Sequence, residues 1–170
     1  MKKINQYKFN GDDILKYNIE KKSVFLGNMF YIKNENNIIE YQISESFSVT
    51  KGKTIMIDNN GTEIAEIKID YSNIIPKYHI YSNDVLLCSV ELKPSFNKYV
   101  YLVSNGFRVE GDSRGLHYNI FDDNYNVICN ITKKFFTSSW KCEVDILDPT
   151  KKVILLLISK VVALPYVFNR

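Results

Sequence analysis

From Ile19 onward, apolar and polar residues alternate in short runs, and clusters of turn-forming residues separate the runs. Successive side chains of a strand point to opposite faces, so this texture predicts strands with one buried face. Twelve runs are present, at about 19–25, 28–33, 38–45, 52–57, 62–70, 76–81, 85–92, 97–103, 106–112, 116–121, 127–134 and 140–146. Asp58-Asn59-Asn60-Gly61 separates two of them, and Asn-Gly supplies the positive φ angles of a tight hairpin. Asn34-Glu35-Asn36-Asn37, Ser82-Asn83-Asp84, Asn105-Gly106 and Asp122-Asp123-Asn124-Tyr125-Asn126 do similar work. Short connections between consecutive strands predict an antiparallel meander.

The alternation also assigns faces. Trp140, Cys142, Val144 and Ile146 fall on one side of their run, opposite Lys141, Glu143 and Asp145. Leu86, Cys88, Val90 and Leu92 share a face, as do Val127, Cys129 and Ile131. All three cysteines are therefore expected in the core as reduced thiols, without the four clustered ligands of structural zinc. A faint repeat runs through 31–41, 57–67 and 120–131, each a strand, a polar turn and a strand. A hairpin cannot bury its apolar face alone, so its repetition predicts one large closed or stacked sheet.

The pattern breaks at Asp148-Pro149, a good N-cap followed by a residue suited to the first helical position. Val153 to Leu164 is then apolar on nearly every side, predicting a helix over about 149–164. The apolar stretch to Phe168 rises roughly 24 Å, short of the roughly 30 Å hydrocarbon core, and Lys160 sits at its middle. A buried helix is the better expectation than a membrane anchor. Twelve strands enclose enough space for a helix about 10 Å across, and closure removes the sheet edges. The expected fold is mainly β: a closed twelve-stranded antiparallel barrel around a buried C-terminal helix. Residues 1–18 read as a polar lead-in, and 19–170 as one domain.

Composition adds limits. The chain has 170 residues, 45% hydrophobic and 24% charged, with 22 Lys+Arg against 19 Asp+Glu. That excludes a disordered chain, and a net charge of +3 is too mild for a nucleic-acid binder. The abundance of Asn, Lys, Ile and Tyr reflects an A/T-rich, bacterial-type genome. Met1-Lys2-Lys3 is not followed by an apolar run, so a cytoplasmic protein is expected.

Phe107-Arg108-Val109-Glu110-Gly111-Asp112-Ser113-Arg114-Gly115-Leu116-His117-Tyr118-Asn119-Ile120 resembles the G-D-x-x-G-x-x-Y-x-I segment of the LURP-one-related family. The order continues through 127–135, 140–146 and the apolar end, so the resemblance covers about 19–168. That family is related to the tubby C-terminal domain and the phospholipid scramblases. The resemblance implies a twelve-stranded barrel wrapping a hydrophobic helix, and Gly111, Asp112, Gly115 and Tyr118 as its signature. Tubby-like domains bind phosphoinositides at a basic surface, and scramblases are linked to membranes and calcium. No tubby lipid-binding motif can be carried over residue by residue. The acidic scramblase calcium segment is not evident, and Asp145 with Asp148 makes too few carboxylates for a calcium cage.

Candidate chemistry is sparse. His79 and His117 fall on polar faces, and no nucleophile elbow, phosphate-binding loop or HExxH motif is present. No catalytic residue, cofactor or metal ligand is expected. Asp112 is read as a hydrogen-bonding partner for turn amides, with Gly111 and Gly115 permitting unusual φ angles. Lys133, Lys134, Lys141, Lys151 and Lys152 form the one basic concentration, with Phe135-Phe136 beside it. The expected function is a non-enzymatic barrel, at most peripheral to the membrane, that binds anionic phospholipid headgroups or a protein partner at this basic rim. The alternatives are a scramblase-like, membrane-tethered protein and an enzyme with an unrecognised pocket.

Overall fold

A computed structural model describes residues 14–46, 53–134 and 140–163. The sequence readings of residues 1–13, of Phe135-Phe136 and of the chain after Ala163 lie outside the described residues. Twelve strands form one closed barrel. They are β1 Leu15–Val24, β2 Gly27–Asn34, β3 Ile39–Ser46, β4 Thr54–Asp58, β5 Glu63–Asp70, β6 Lys77–Ser82, β7 Val85–Lys93, β8 Tyr99–Val103, β9 Arg108–Gly111, β10 His117–Phe121, β11 Val127–Lys134 and β12 Lys141–Ile146. Each pairs antiparallel with its neighbours in sequence, and β1 closes the ring on β12. The expected barrel is the one observed, with one extension. Leu15–Asn18, read as lead-in, belong to β1 and pair with Ile146 through Glu143. Tyr17 and Ile19 alternate inward there, which a polar stretch around them conceals.

The helix α1, Lys152–Ala163, follows a short 3₁₀ turn at Pro149–Lys151. Asp148 caps the turn, its carboxylate accepting from the Thr150 amide at 3.2 Å. α1 runs down the barrel axis, and Leu155 through Ala163 are buried. Leu155, Leu156, Leu157, Ile158, Val161 and Val162 meet inward residues of the wall, including Ile19, Phe30, Ile43, Ile80 and Val144. Each such side chain contributes roughly 1.5–3 kcal/mol by leaving water. No helix among the described residues is long and apolar enough to cross a membrane.

Four register shifts fall at one end of the barrel, where the chain turns into the helix. Each places one extra residue in a strand: Glu40, Ile64, Leu87 and Ile128. Such bulges concentrate at barrel rims and re-aim a side chain. Glu40, Ile64 and Leu87 line the groove around the helix start, and the Ile128 carbonyl accepts from the Leu147 amide at 2.9 Å. Three of these hairpins are the units of the sequence repeat. The bulges also correct the expected faces, because alternation slips by one on crossing them. Leu86 is exposed and Val127 only half-buried, while Leu87 is drawn onto the core. Trp140, also expected inside, lies before the first residue of β12 and is half exposed. The three cysteines are buried and free, and burial pushes each thiol up to about 12.

One charge crosses the core. Lys160, 2% exposed, pairs with Glu45 of β3, 3% exposed. The Glu45 carboxylate also accepts from the Asn28 side-chain amide at 3.0 Å, and Lys160 lies 5.0 Å from the centre of the Phe30 ring. Gly27 permits this close approach of β2 and β3, since a Cβ there would stand 2.2 Å from the Glu45 carbonyl oxygen. Burial lowers the Lys160 pKa and Glu45 opposes that shift. Glu45→Gln, which leaves a buried ammonium without its counter-charge, is expected to destabilise the fold by about 3–5 kcal/mol. Lys160→Met combined with Glu45→Leu should recover most of the loss in chemical denaturation; full additivity of the single effects would contradict the pairing.

Candidate functional site

The meander gives the barrel two unlike ends. At the mouth lie the turns β2–β3, β4–β5, β6–β7, β8–β9 and β10–β11, together with the passage from β12 into the helix. At the base lie the β1–β2, β5–β6, β7–β8 and β9–β10 turns, with the facing ends of β3, β4, β11 and β12. Among the described residues, the turns and the strand ends that flank them differ in charge between the two rims. The base carries seven cations, Lys53, Lys77, Lys93, Lys98, Arg114, Lys134 and Lys141, and two anions, Asp70 and Asp112. The mouth carries three cations, Arg108, Lys151 and Lys152, and seven anions, Glu35, Asp58, Glu63, Asp84, Asp122, Asp123 and Asp148. The turns and strand ends of the two rims thus differ in sign, although Lys77 and Lys93 pair with Glu91 and Lys98 with Glu110 on the wall, and Lys53 with Glu63.

The five lysines expected on one rim are divided between these ends. Lys133, Lys134 and Lys141 lie at the base, where Lys134 and Lys141 are direct cross-strand partners. Lys151 and Lys152 lie at the acidic mouth. The single basic rim is therefore corrected: β12 carries the chain roughly 20 Å from one end to the other between the two groups. Lys134 pairs with Glu143, Lys141 with Glu20 at 3.3 Å, and Lys151 with the cap Asp148. The Lys133 ammonium stands 5.6 Å from the centre of the Trp140 ring, and burial lowers its pKa. The pairs of Lys134 and Lys141 are partly exposed, and such pairs contribute at most about 1 kcal/mol. Both ammonium groups remain available to another anion.

At the mouth, the groove has a volume of about 1030 Å³. Ile64, Leu87, Val153 and Ile154 supply its apolar wall. Its polar centre is Glu40, which accepts from the Tyr17 hydroxyl at 2.8 Å and the Asn34 side-chain amide at 3.0 Å. Lys152 stands 3.5 Å from the same carboxylate and 5.2 Å from the centre of the Tyr41 ring. Burial first, and then the Glu40 hydrogen bond, push the Tyr17 phenol up to about 12. This cluster ties β1, β2 and β3 to the helix start. It holds no nucleophile paired with a base.

The signature residues make a local lock at the base. The Asp112 carboxylate accepts from the Leu116 amide at 2.7 Å and the His117 amide at 3.4 Å. Gly115 has φ +65°, and a Cβ on Gly111 would stand 2.5 Å from the Tyr118 ring. Tyr118 thus lies flat over two glycines, beside Tyr99 with ring centres 6.2 Å apart. His117 is exposed, its Nδ1 3.3 Å from the Thr132 hydroxyl, and His79 Nδ1 is 2.7 Å from the Ser89 hydroxyl. Sequence reasoning passed over Glu40 and Glu45. Both stand in a run with no assigned faces; Glu45 shares the face of Ile43 and Tyr41, which was the available signal.

A family model described as LURP-one-related matches residues 15–164. No curated protein matches the chain. Among solved structures, an X-ray structure of a protein from Arabidopsis thaliana is similar, with a TM-score of 0.58 and 13% identity over 85% of this chain and 90% of that one. That likeness concerns the fold.

The Glu40 cluster makes a testable demand on acid stability. Burial alone would raise the Glu40 pKa, but Asn34, Tyr17 and Lys152 outweigh it and hold the carboxyl below its ordinary value. Its contribution is present above the ordinary carboxylate pKa and is lost as pH falls through the lowered one. Glu40→Gln is expected to cost about 1–2 kcal/mol at neutral pH and less in acid, so melting curves of the two proteins should converge as pH falls. A gap independent of pH would contradict the ionised network.

Proposed function

Because the chain belongs to the LURP-one-related family, matched over nearly the whole barrel, we propose that it is a non-enzymatic binding domain whose basic base engages anionic phospholipid headgroups. The observation that carries this reading is the charge polarity: seven cations against two anions at the base, and the reverse balance at the mouth. A charged surface attracts this dipole in one orientation. Each lysine near an anionic leaflet contributes roughly 1 kcal/mol, within a Debye length of about 8 Å. The partly exposed pairs with Glu20 and Glu143 exchange one anion for another at little cost. Lys133, Lys134 and Lys141 belong to the binding face, and Lys151 and Lys152 do not. A cytoplasmic protein peripheral to the membrane goes with this reading.

The groove at the mouth favours a second reading, a protein partner seated on its apolar wall. Ile38, which also lines the groove, is exposed and extends that wall. The two readings use opposite ends and are compatible.

Sedimentation with vesicles of phosphatidylcholine and phosphatidylserine separates the ends. Lys134→Gln with Lys141→Gln should weaken binding about tenfold or more, in a manner relieved by salt. Lys151→Gln, at the acidic mouth, should leave binding within about twofold. Absence of salt-sensitive binding by the unaltered chain would remove the headgroup reading.

A further inference from the structure

We propose that the base is a membrane-docking face in which Phe25, Leu26, Ile74 and Phe96 insert at the boundary of headgroups and acyl chains while the lysines hold the headgroups. This rests on the headgroup reading and adds a second, apolar source of affinity and a fixed orientation.

The most exposed large apolar side chains of the described residues all stand at the base. Phe25 is 93% exposed, and Ile74 and Phe96 are fully exposed. They occupy the β1–β2, β5–β6 and β7–β8 turns, three separate points on one rim. Val24-Phe25-Leu26 is an exposed apolar triplet in a tight turn, where Leu26 has φ +62°. That backbone conformation favours Gly or Asn, and the turn gains nothing structurally from apolar residues. Ile38, Val85 and Leu86 at the mouth are less exposed than Phe25, Ile74 and Phe96, and apolar side chains this exposed, gathered on one rim, mark an interaction site.

The surroundings select the partner. Phe96 is flanked by Lys93 and Lys98, Ile74 is followed by Lys77, and Trp140 stands between Lys133 and Lys141 in space and sequence. Apolar tips interleaved with lysines match a surface whose interior is apolar and whose skin is anionic. A second copy is a poor occupant, because base-to-base contact would oppose seven cations to seven cations. Tips on three turns of one rim define a plane across the barrel axis. The barrel would therefore stand upright on the bilayer, its acidic mouth directed away from the anionic surface.

Trp140 is the single tryptophan and is half exposed at the base, so it reports directly. The full chain is mixed with vesicles of phosphatidylcholine and phosphatidylserine, with or without brominated acyl chains. Trp140 emission is expected to shift to the blue and to be quenched by bromine, and part of the binding should survive high salt. Phe25→Ser with Phe96→Ser should weaken binding about tenfold or more, make the remainder more salt-sensitive, and leave thermal melting unchanged. If the double variant binds like the unaltered chain and Trp140 is not quenched, insertion is wrong, while loss of binding in Lys134→Gln with Lys141→Gln would keep the headgroup reading. If the unaltered chain ignores vesicles, both fail. If the tips instead govern self-association or capture of an acidic protein, with no binding to vesicles, the lipid assignment is overturned.

Discussion

A helix that is apolar on every side must be kept from water, and the rest of this structure follows from that requirement. The chain has one means of meeting it, a sheet closed on itself with every inward position filled. An open sheet would cover one side of α1 and leave the others wet. Closure through β1 and β12 therefore serves the sheet, which loses its edges, and the helix, which gains a complete wall. The Lys160–Glu45 pair belongs to the same requirement. A charge within a dry barrel is tolerated only with a counter-charge, and Glu45 places it on β3 with Asn28 on β2 supporting it. Aliphatic packing alone fixes the depth of α1 loosely. The pair gives one stop on the axis, linking residues far apart in sequence.

The two ends of the barrel differ in character because a meander sorts its turns alternately. Consecutive connections lie at opposite ends, so members of one set are never neighbours in sequence order, yet each set forms one rim. The acidic turns, which carry the Asp-Asn chemistry of tight hairpins, collect at the mouth. Asp58 and Asp122 spend their carboxylates there on turn amides. The lysines and the apolar tips collect at the base. The acidic turns at the mouth are thus partly self-satisfied, whereas at the base the lysines sit in partly exposed pairs with wall carboxylates and the apolar tips have little structural use.

Much of the fold was legible in the sequence because strand alternation is a local property. The number and order of the strands, the inward cysteines, the Asp148 cap and the buried helix all followed from nearest-neighbour patterns. What escaped depends on register. The bulges at Glu40, Ile64, Leu87 and Ile128 shift alternation by one, so Leu86 and Val127 were assigned to the wrong face. The start of β1 was hidden because its outward residues are polar and its inward ones few. The lysines illustrate the same limit for the candidate site. Lys133 and Lys152 are close in sequence, but an extended strand between them spans the barrel. Nearness in sequence within a meander is a poor guide to sharing a rim. Charge summed turn by turn over alternate connections would have shown the polarity without coordinates.

The position of α1 in the chain has a consequence for how the molecule comes into being. The wall is encoded first and its filling last, so a growing chain presents many apolar strand faces before the residues that cover them exist. Those faces pair locally as hairpins, but their shared interior stays unfinished until the last helix is available. Completion is then a late, concerted event in which β1 meets β12 as the helix seats, joining the first and last strands of the barrel. A chain cut short before Pro149 would lack the core that the wall exists to enclose, and the cell would meet it as an open, adhesive sheet.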